Sequence, residues 1–405
     1  MAVARLQLDA LQVLALAALG VAVGSWLKQR VRALDRLEMP PAVVGGMLWA
    51  VLLLVLRDRW LNVDMDMVLR DILMVAFFTS VGLNARLRLV RQGGPQLIVF
   101  WAVAGAGALL QGLVGIGAAA ALQLNPLVGL VCGPVTLAGG PATAIAFGST
   151  FEQMGLGSAT TLGIAAAMFG ITAAGLLSGF AGGRLIEKQG VREAAGALRR
   201  PVAERPMPSA VEAEAEGDTA AGPLLRHVMA LAVAMGLGTV LSRAIERAGV
   251  VLPAYIGAMI AAAIIRNLDD RFGFARLAQR QVEAIASVAL NLFIVMALLT
   301  LRLWELAHLV APALLILTAQ VALTWLVAAT LTFRILGRRY ESALMTAGYV
   351  GFMVGTTANA LAAMQVLAEK YGPAPRAFLV VSLVGAFLID FANSLVITAL
   401  ANLVR

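Results

Sequence analysis

Two short stretches hold most of the residues in this chain that could bind a charged solute. Thr136, Gly139, Gly140 and Thr143 fall in one run, and Gly355, Thr356, Thr357 and Asn359 in another. Hydroxyls, a carboxamide and bare backbone N–H and C=O groups supply neutral donors and acceptors, which cost less to bury than a fixed charge. A third group is Asp390, with Asn393 one turn later on the same helical face, inside the apolar run 377–400. A carboxylate at that depth could hold sodium, accept a proton or brace a neighbouring segment. Thr79 and Asn291, polar positions within two otherwise apolar segments, are further sodium-ligand candidates. Other ionisable residues point to simpler roles. Asp71 stands at a helix start, Arg302 is placed to snorkel to an interface, and His227 and His308 lie near helix ends, where solvation is expected.

The elements around these residues are apolar. The chain is 60% hydrophobic and 13% charged, far from the composition of a soluble domain, so a polytopic membrane protein is expected. Segments long enough to span occur at 8–27, 41–57, 66–84, 96–122, 158–186, 224–247, 252–266, 284–301, 306–333 and 376–403. Two segments differ, about 126–150 and 341–366. The first contains Gly133, Pro134, Gly139, Gly140 and Pro141, which do not sustain a helix. Both read as re-entrant hairpins, because non-helical backbone at membrane depth needs protein or a water-filled cavity around it. Half-helix N-termini there offer N–H groups and positive dipole ends to an anion, and unwound carbonyls offer oxygens to sodium. The competing reading is that the small residues only let helices pack closely.

The pattern occurs twice. PAVVGGMLWA at 41–50 matches PAYIGAMIAA at 253–262, offset by 253 − 41 = 212. GPVTLAGG at 133–140 matches GYVGFMVG at 348–355, offset by 348 − 133 = 215. FFTSVGLNARL from Phe77 matches FIVMALLTLRL from Phe293, offset by 293 − 77 = 216. The fold expected is therefore all-α and polytopic, with two repeats of five transmembrane helices, each with a re-entrant hairpin. Five spans per half make the repeats inverted. Residues 1–186 form the N-terminal repeat, 224–405 the C-terminal one, and 187–223, poor in large apolar residues, a flexible cytoplasmic linker. Loops 28–38, 85–95, 266–283 and 334–341 are rich in arginine and fall on one side if both termini lie on the other, outside. Such repeats mark a secondary transporter whose solute site lies between them.

Several alternatives are excluded. The net charge of +8 comes largely from loop Lys and Arg, so no nucleic-acid partner is expected. One cysteine, Cys132, leaves no internal disulfide or multi-cysteine metal site, and two histidines make no cluster. No HExxH or GxSxG motif is present, so no enzyme is expected, and no cofactor beyond a coupling ion.

Four stretches, PAVVGGML (41–48), DILMVAFFTSVGLNA (71–85), NLFIVMALLTLRLWELA (291–307) and AFLVVSLVGAFLIDFANSLVI (377–397), resemble the bacterial sodium/glutamate symporter family. That resemblance implies sodium-coupled glutamate uptake across the bacterial inner membrane, two inverted five-helix repeats, a homodimer and an elevator movement. At the first hairpin tip the family's Gly-Gly-His-Gly-Thr is here Gly139-Gly140-Pro141-Ala142-Thr143. At the second, Gly-Ala-Thr-Pro-Thr is here Gly355-Thr356-Thr357-Ala358-Asn359. The altered tips leave another amino or organic acid anion, sodium- or proton-coupled, as the alternative substrate.

Overall fold

The computed structural model describes residues 4–31, 34, 39–57, 59–188, 221–247, 253–301 and 309–404. Most of the linker expected over 187–223, together with Arg302 and His308, lies outside the described residues. The chain is mostly helical. The first half contains α1 (Ala10–Arg30), α2 (Pro41–Leu56), α3 (Val68–Asn84), α4 (Leu87–Ala121), α5 (Pro126–Ala138), α6 (Gly140–Gln153) and α7 (Ala159–Lys188). The second contains α8 (Ala221–Arg247), α9 (Ala254–Phe272), α10 (Gln279–Leu298), α11 (Val310–Ile335), α12 (Tyr340–Val354), α13 (Thr357–Tyr371) and α14 (Pro375–Leu403).

Among the described residues, seven helices are long and apolar enough to cross a membrane, which makes this a multi-pass membrane protein: α1, α4 from Gly94, α7, α8, α10, α11 and α14. The sequence predicts ten spans. α2 has 16 residues and α3 has 17, while α9, at 19, carries Arg266, Asp269, Asp270 and Arg271 near its end. α8 exposes Leu225, Met229, Val233, Leu237 and Val240, an apolar face that a bilayer would cover. The all-α expectation needs one correction. β1 (Ala4–Leu8) pairs in parallel with β2 (Leu61–Met65), from Ala4 opposite Leu61 to Leu8 opposite Met65. Each is an extended five-residue end whose backbone groups would otherwise lack partners.

The helices sort into two bundles. In one, α1 packs on α2, α2 on α10, α3 on α9 and α10, and α8 on α9. In the other, α4 packs on α5, α11 and α14, α7 on α5, α6, α12 and α13, and α12 on α13 and α14. The repeated Pro-Ala-x-x-Gly sequence has a packing reason in both halves. A Cβ on Gly45 would lie 1.8 Å from the Gly20 carbonyl oxygen, so α2 touches α1 backbone to backbone. A Cβ on Gly257 would lie 2.3 Å from the Gly238 carbonyl oxygen, so α9 meets α8 in the same way.

The passage from the first bundle to the second at residues 85–87 is pinned. Asn267 Nδ2 donates to Ala85 O at 2.9 Å, and Leu87 N donates to Asn267 Oδ1 at 2.8 Å. Arg86 reaches Asp270 through Nε at 2.9 Å and a terminal nitrogen at 3.0 Å. The loop expected over 85–95 is helical from Leu87 and breaks at Gly94, whose φ of 66° suits glycine, just before Pro95. Arg266, expected in a loop, lies inside α9 at 1% exposure and donates to Leu277 O at 2.6 Å. Asp269 accepts from the backbone N–H groups of Ala275, Arg276 and Leu277. Burial pushes its carboxyl up, but those three donors and Arg266 outweigh it and hold the group below its ordinary value. His227 is also a correction. It is 2% exposed, not solvated, and its Nε2 accepts from Ala278 N at 2.7 Å, fixing the start of α10.

Candidate functional site

The two broken segments converge on each other. The first bends at Gly133, which leaves helical geometry at φ −124° and ψ −118° beside Pro134, and then stops at Gly139. Gly140 opens α6 with φ 67°, in the left-handed region. Pro141 follows within the first turn, where the N–H it lacks would have no helical partner anyway. The second segment stops at Gly355 and restarts at Thr357. A Cβ on Gly140 would lie 4.0 Å from the Gly355 carbonyl oxygen, so the two tips meet. α7 supports both. A Cβ on Gly170 would lie 2.3 Å from Val354 O and 2.8 Å from Leu137 Cδ2, and one on Gly355 would lie 2.6 Å from Ala174 Cβ.

Carbonyls exposed by the breaks are taken up by side-chain amides. Asn393 Nδ2 donates to Pro134 O at 2.8 Å. Gln111 Nε2 donates to Met353 O and to Thr324 Oγ1, both at 2.9 Å, and Gln320 Nε2 to Gln111 O at 2.7 Å. These bonds tie the frame around the tips together, and the helices α6 and α13 begin at the two tips that meet, so their positive N-terminal ends lie close to each other.

The nominated tip residues divide by what their polar atoms already do. Thr136 Oγ1 donates to Val131 O at 2.7 Å, and Thr357 Oγ1 donates to Gly385 O on α14. Thr356 caps α13: its hydroxyl accepts from Asn359 N at 3.3 Å and donates to Asn359 Oδ1 at 2.8 Å, while Asn359 Oδ1 also accepts from Thr356 N at 3.2 Å. These three hydroxyl protons are committed. Among the described residues, the Thr143 hydroxyl and Asn359 Nδ2 make no hydrogen bond, and both residues are nearly buried. With the N–H groups of Gly140 and Ala142 at the uncapped start of α6, they are the donors free to meet an anion.

Asp390 is half-buried on α14, just past a widened turn at Val384–Leu388 that leaves Gly385 O open to Thr357. No basic side chain pairs with it among the described residues. Asn393 is fully buried on the same face. Thr79 and Asn291 belong to the other bundle and bond within their own helices, Thr79 Oγ1 to Val75 O at 2.6 Å and Asn291 Nδ2 to Ser287 O at 2.8 Å. No hydrogen bond links either to Asp390 or Asn393. The sequence did not single out Gly170 or Gly385, which set the close approaches around the tips. Their only signal is a missing side chain inside an apolar helix.

Residues 6–373 match the sodium/glutamate symporter family. The chain belongs to that family. It is 36% identical over 400 residues to the sodium/glutamate symporter of Escherichia coli (strain K12), covering 96% of each chain, and equally so to that of Shigella flexneri. It is 33% identical over 398 residues to the sodium/glutamate symporter of Haemophilus influenzae (strain ATCC 51907 / DSM 11121 / KW20 / Rd), covering 95% of each. The solved sodium proton antiporter MjNhaP1 from Methanocaldococcus jannaschii at pH 8 aligns with 97% of this chain and 98% of its own at a TM-score of 0.42 and 14% identity, too distant a likeness to carry an argument.

Proposed function

We propose that this chain couples inward sodium flow to uptake of glutamate across the bacterial inner membrane. The observation that carries this reading is the meeting of two uncharged hairpin tips at Gly140 and Gly355, with two helix N-termini and two uncommitted side-chain donors, in a chain of the sodium/glutamate symporter family. An anion there is held by Thr143, Asn359 and the backbone N–H groups of Gly140 and Ala142, while the Gly139 N–H is committed to Pro134 O and Gly139 shapes the tip. Thr136, Gly355, Thr356 and Thr357 shape the tips. Asp390 and Asn393 hold the sodium ion, and Thr79 and Asn291 are reserve candidates from the other bundle.

The architecture proposed is two inverted repeats, 1–186 and 224–405, joined by the cytoplasmic linker 187–223. What supports inversion is the sorting of helix ends. The β1–β2 pair puts the N-terminus beside the loop after α2. The Arg86–Asp270 pair and the His227–Ala278 contact put the loops after α3 and α9 beside the start of α8. Lys370 Nζ, 3.3 Å from Glu187, puts the end of the second hairpin beside the end of α7. Each pairing agrees with both termini lying in the periplasm and the hairpins entering from opposite sides. The two-bundle division supports an elevator movement of the tip-bearing bundle against the other. The homodimer rests on the family resemblance alone.

Two measurements check this reading. Purified protein in proteoliposomes is expected to accumulate labelled glutamate under an inward sodium gradient and not under a proton gradient in sodium-free buffer. Accumulation driven by protons alone ends the sodium assignment, and preference for another dicarboxylate in competition ends the glutamate assignment. For topology, Cys132 is replaced and single cysteines are placed at Leu6, Leu403 or Glu187, all exposed. The first two are expected to react with an impermeant thiol reagent from the periplasmic side and the third only after permeabilisation. Labelling of all three from one side overturns the inverted arrangement.

A further inference from the structure

Asp390, Asn393 and Ser394 stand at i, i+3 and i+4 on α14 and so share a face. Asn393 and Ser394 are 0% and 1% exposed, yet Asn393 Oδ1 and Ser394 Oγ have no hydrogen-bond partner. The Asn393 carboxamide is not free to turn, because Nδ2 is committed to Pro134 O at 2.8 Å. Ser394 is the more telling of the two. Serine and threonine inside helices ordinarily return their proton to the carbonyl four residues back. Ser80, Ser178, Thr346 and Thr398 of this chain do so, at 2.6–2.9 Å. Ser394 does not.

The group opposite comes from the other bundle. The Tyr255 hydroxyl on α9 neighbours Ser394 and lies in the field of the Asp390 carboxylate. The contact does not close as a hydrogen bond, and Tyr255 Oη is itself fully buried without a partner. The ring is held in place, stacked on Phe78 with centroids 3.9 Å apart and edge-on to Phe147 of the first hairpin at 5.9 Å. Three buried oxygens without partners therefore lie on Tyr255, Asn393 and Ser394, the last two on the helical face of the half-buried Asp390. Each unmet group of this kind is costly, and together they form the hard oxygen set that suits a small dehydrated cation.

We infer that Tyr255 Oη and Ser394 Oγ complete the coupling-cation site with the Asp390 carboxylate and Asn393 Oδ1, so that the ion is held across the boundary between the two bundles. The inference rests on the sodium reading of Asp390 and adds a consequence to it. Three ligands ride on α14 and one stays on α9. The site is complete only while α14 faces α9, so a bound cation favours that arrangement, and sliding the bundles apart removes a ligand and weakens the ion's hold.

Tyr255→Phe keeps the stacked ring and removes only the hydroxyl, and Ser394→Ala removes only the other. For each, glutamate uptake is measured against sodium concentration, together with glutamate affinity at saturating sodium and the thermal shift produced by sodium chloride against potassium chloride in detergent. Each variant is expected to raise the half-saturating sodium concentration about tenfold, the loss of one contact to a charged group. Glutamate affinity at saturating sodium stays within about twofold, and the sodium-specific thermal shift shrinks. Wild-type sodium dependence in both variants overturns the inference. If Asp390→Asn alone abolishes the sodium response, the extension to Tyr255 and Ser394 is wrong while the sodium reading of Asp390 stands. If all three variants respond as wild type, both fail.

Discussion

Asp390→Asn is expected to abolish sodium-driven glutamate accumulation while leaving the protein folded. The side chains match in size, so the half-buried position on α14 is refilled without a cavity. What disappears is the charge, and no basic residue pairs with that charge among the described residues. A carboxylate among apolar helices without a protein counter-charge is neutralised by a proton or a bound cation, and the sodium reading proposed above makes the coupling cation that partner. Removing one partner of a buried ion pair typically costs about 3–5 kcal/mol, which is more than a hundredfold in affinity. Sodium-dependent uptake into proteoliposomes should therefore fall to the level of empty vesicles at matched protein content, with a monodisperse profile in detergent. A variant with wild-type sodium dependence would make Asp390 a structural brace, and the ion would have to be sought at Thr79, Asn291 or the hairpin carbonyls.

The parts of the site that the chain discloses by itself are those where a residue type is out of place. Glycine, proline and threonine inside an apolar run mark both hairpins, and a lone aspartate marks α14, because each carries a cost in a bilayer that some function offsets. The tip-to-tip meeting of Gly140 and Gly355 follows from the matching positions of the two runs. Tyr255 and Ser394 give no such signal. A tyrosine near a helix start reads as an interfacial or core aromatic, and a serine among small residues reads as packing. Only the missing hydrogen bonds of their hydroxyls, visible once α9 and α14 are set side by side, distinguish them. His227 escaped for a related reason. Its partner is the backbone N–H of residue 278, and a contact with a main-chain atom leaves no trace in residue identity. The β1–β2 pair joins five-residue segments more than fifty positions apart, each too short for alternation to stand out.

Asn359→Asp is expected to lower glutamate affinity by at least about a hundredfold while leaving thermal stability close to wild type. The substitution separates the two jobs of the Asn359 side chain. Its oxygen accepts from Thr356 N and Thr356 Oγ1 at the start of α13, and an aspartate oxygen takes over both bonds. A negative charge in the first turn of a helix is also favourable, so the cap is kept or strengthened. Its nitrogen, by contrast, is the uncommitted donor at the tip, and aspartate replaces that donor with an acceptor. Loss of one hydrogen bond to a charged group costs about 1.5–3 kcal/mol, roughly ten- to a hundredfold, and a carboxylate facing a substrate carboxylate adds repulsion to that. Asn359→Ala isolates the first effect and should weaken binding by the smaller amount, with some loss of stability from the missing cap. Isothermal titration of glutamate at saturating sodium reads both variants. Glutamate binding to Asn359→Asp with wild-type affinity would place the substrate carboxylates away from the second tip, and the meeting of Gly140 and Gly355 would then be a contact between hairpins and not a binding site.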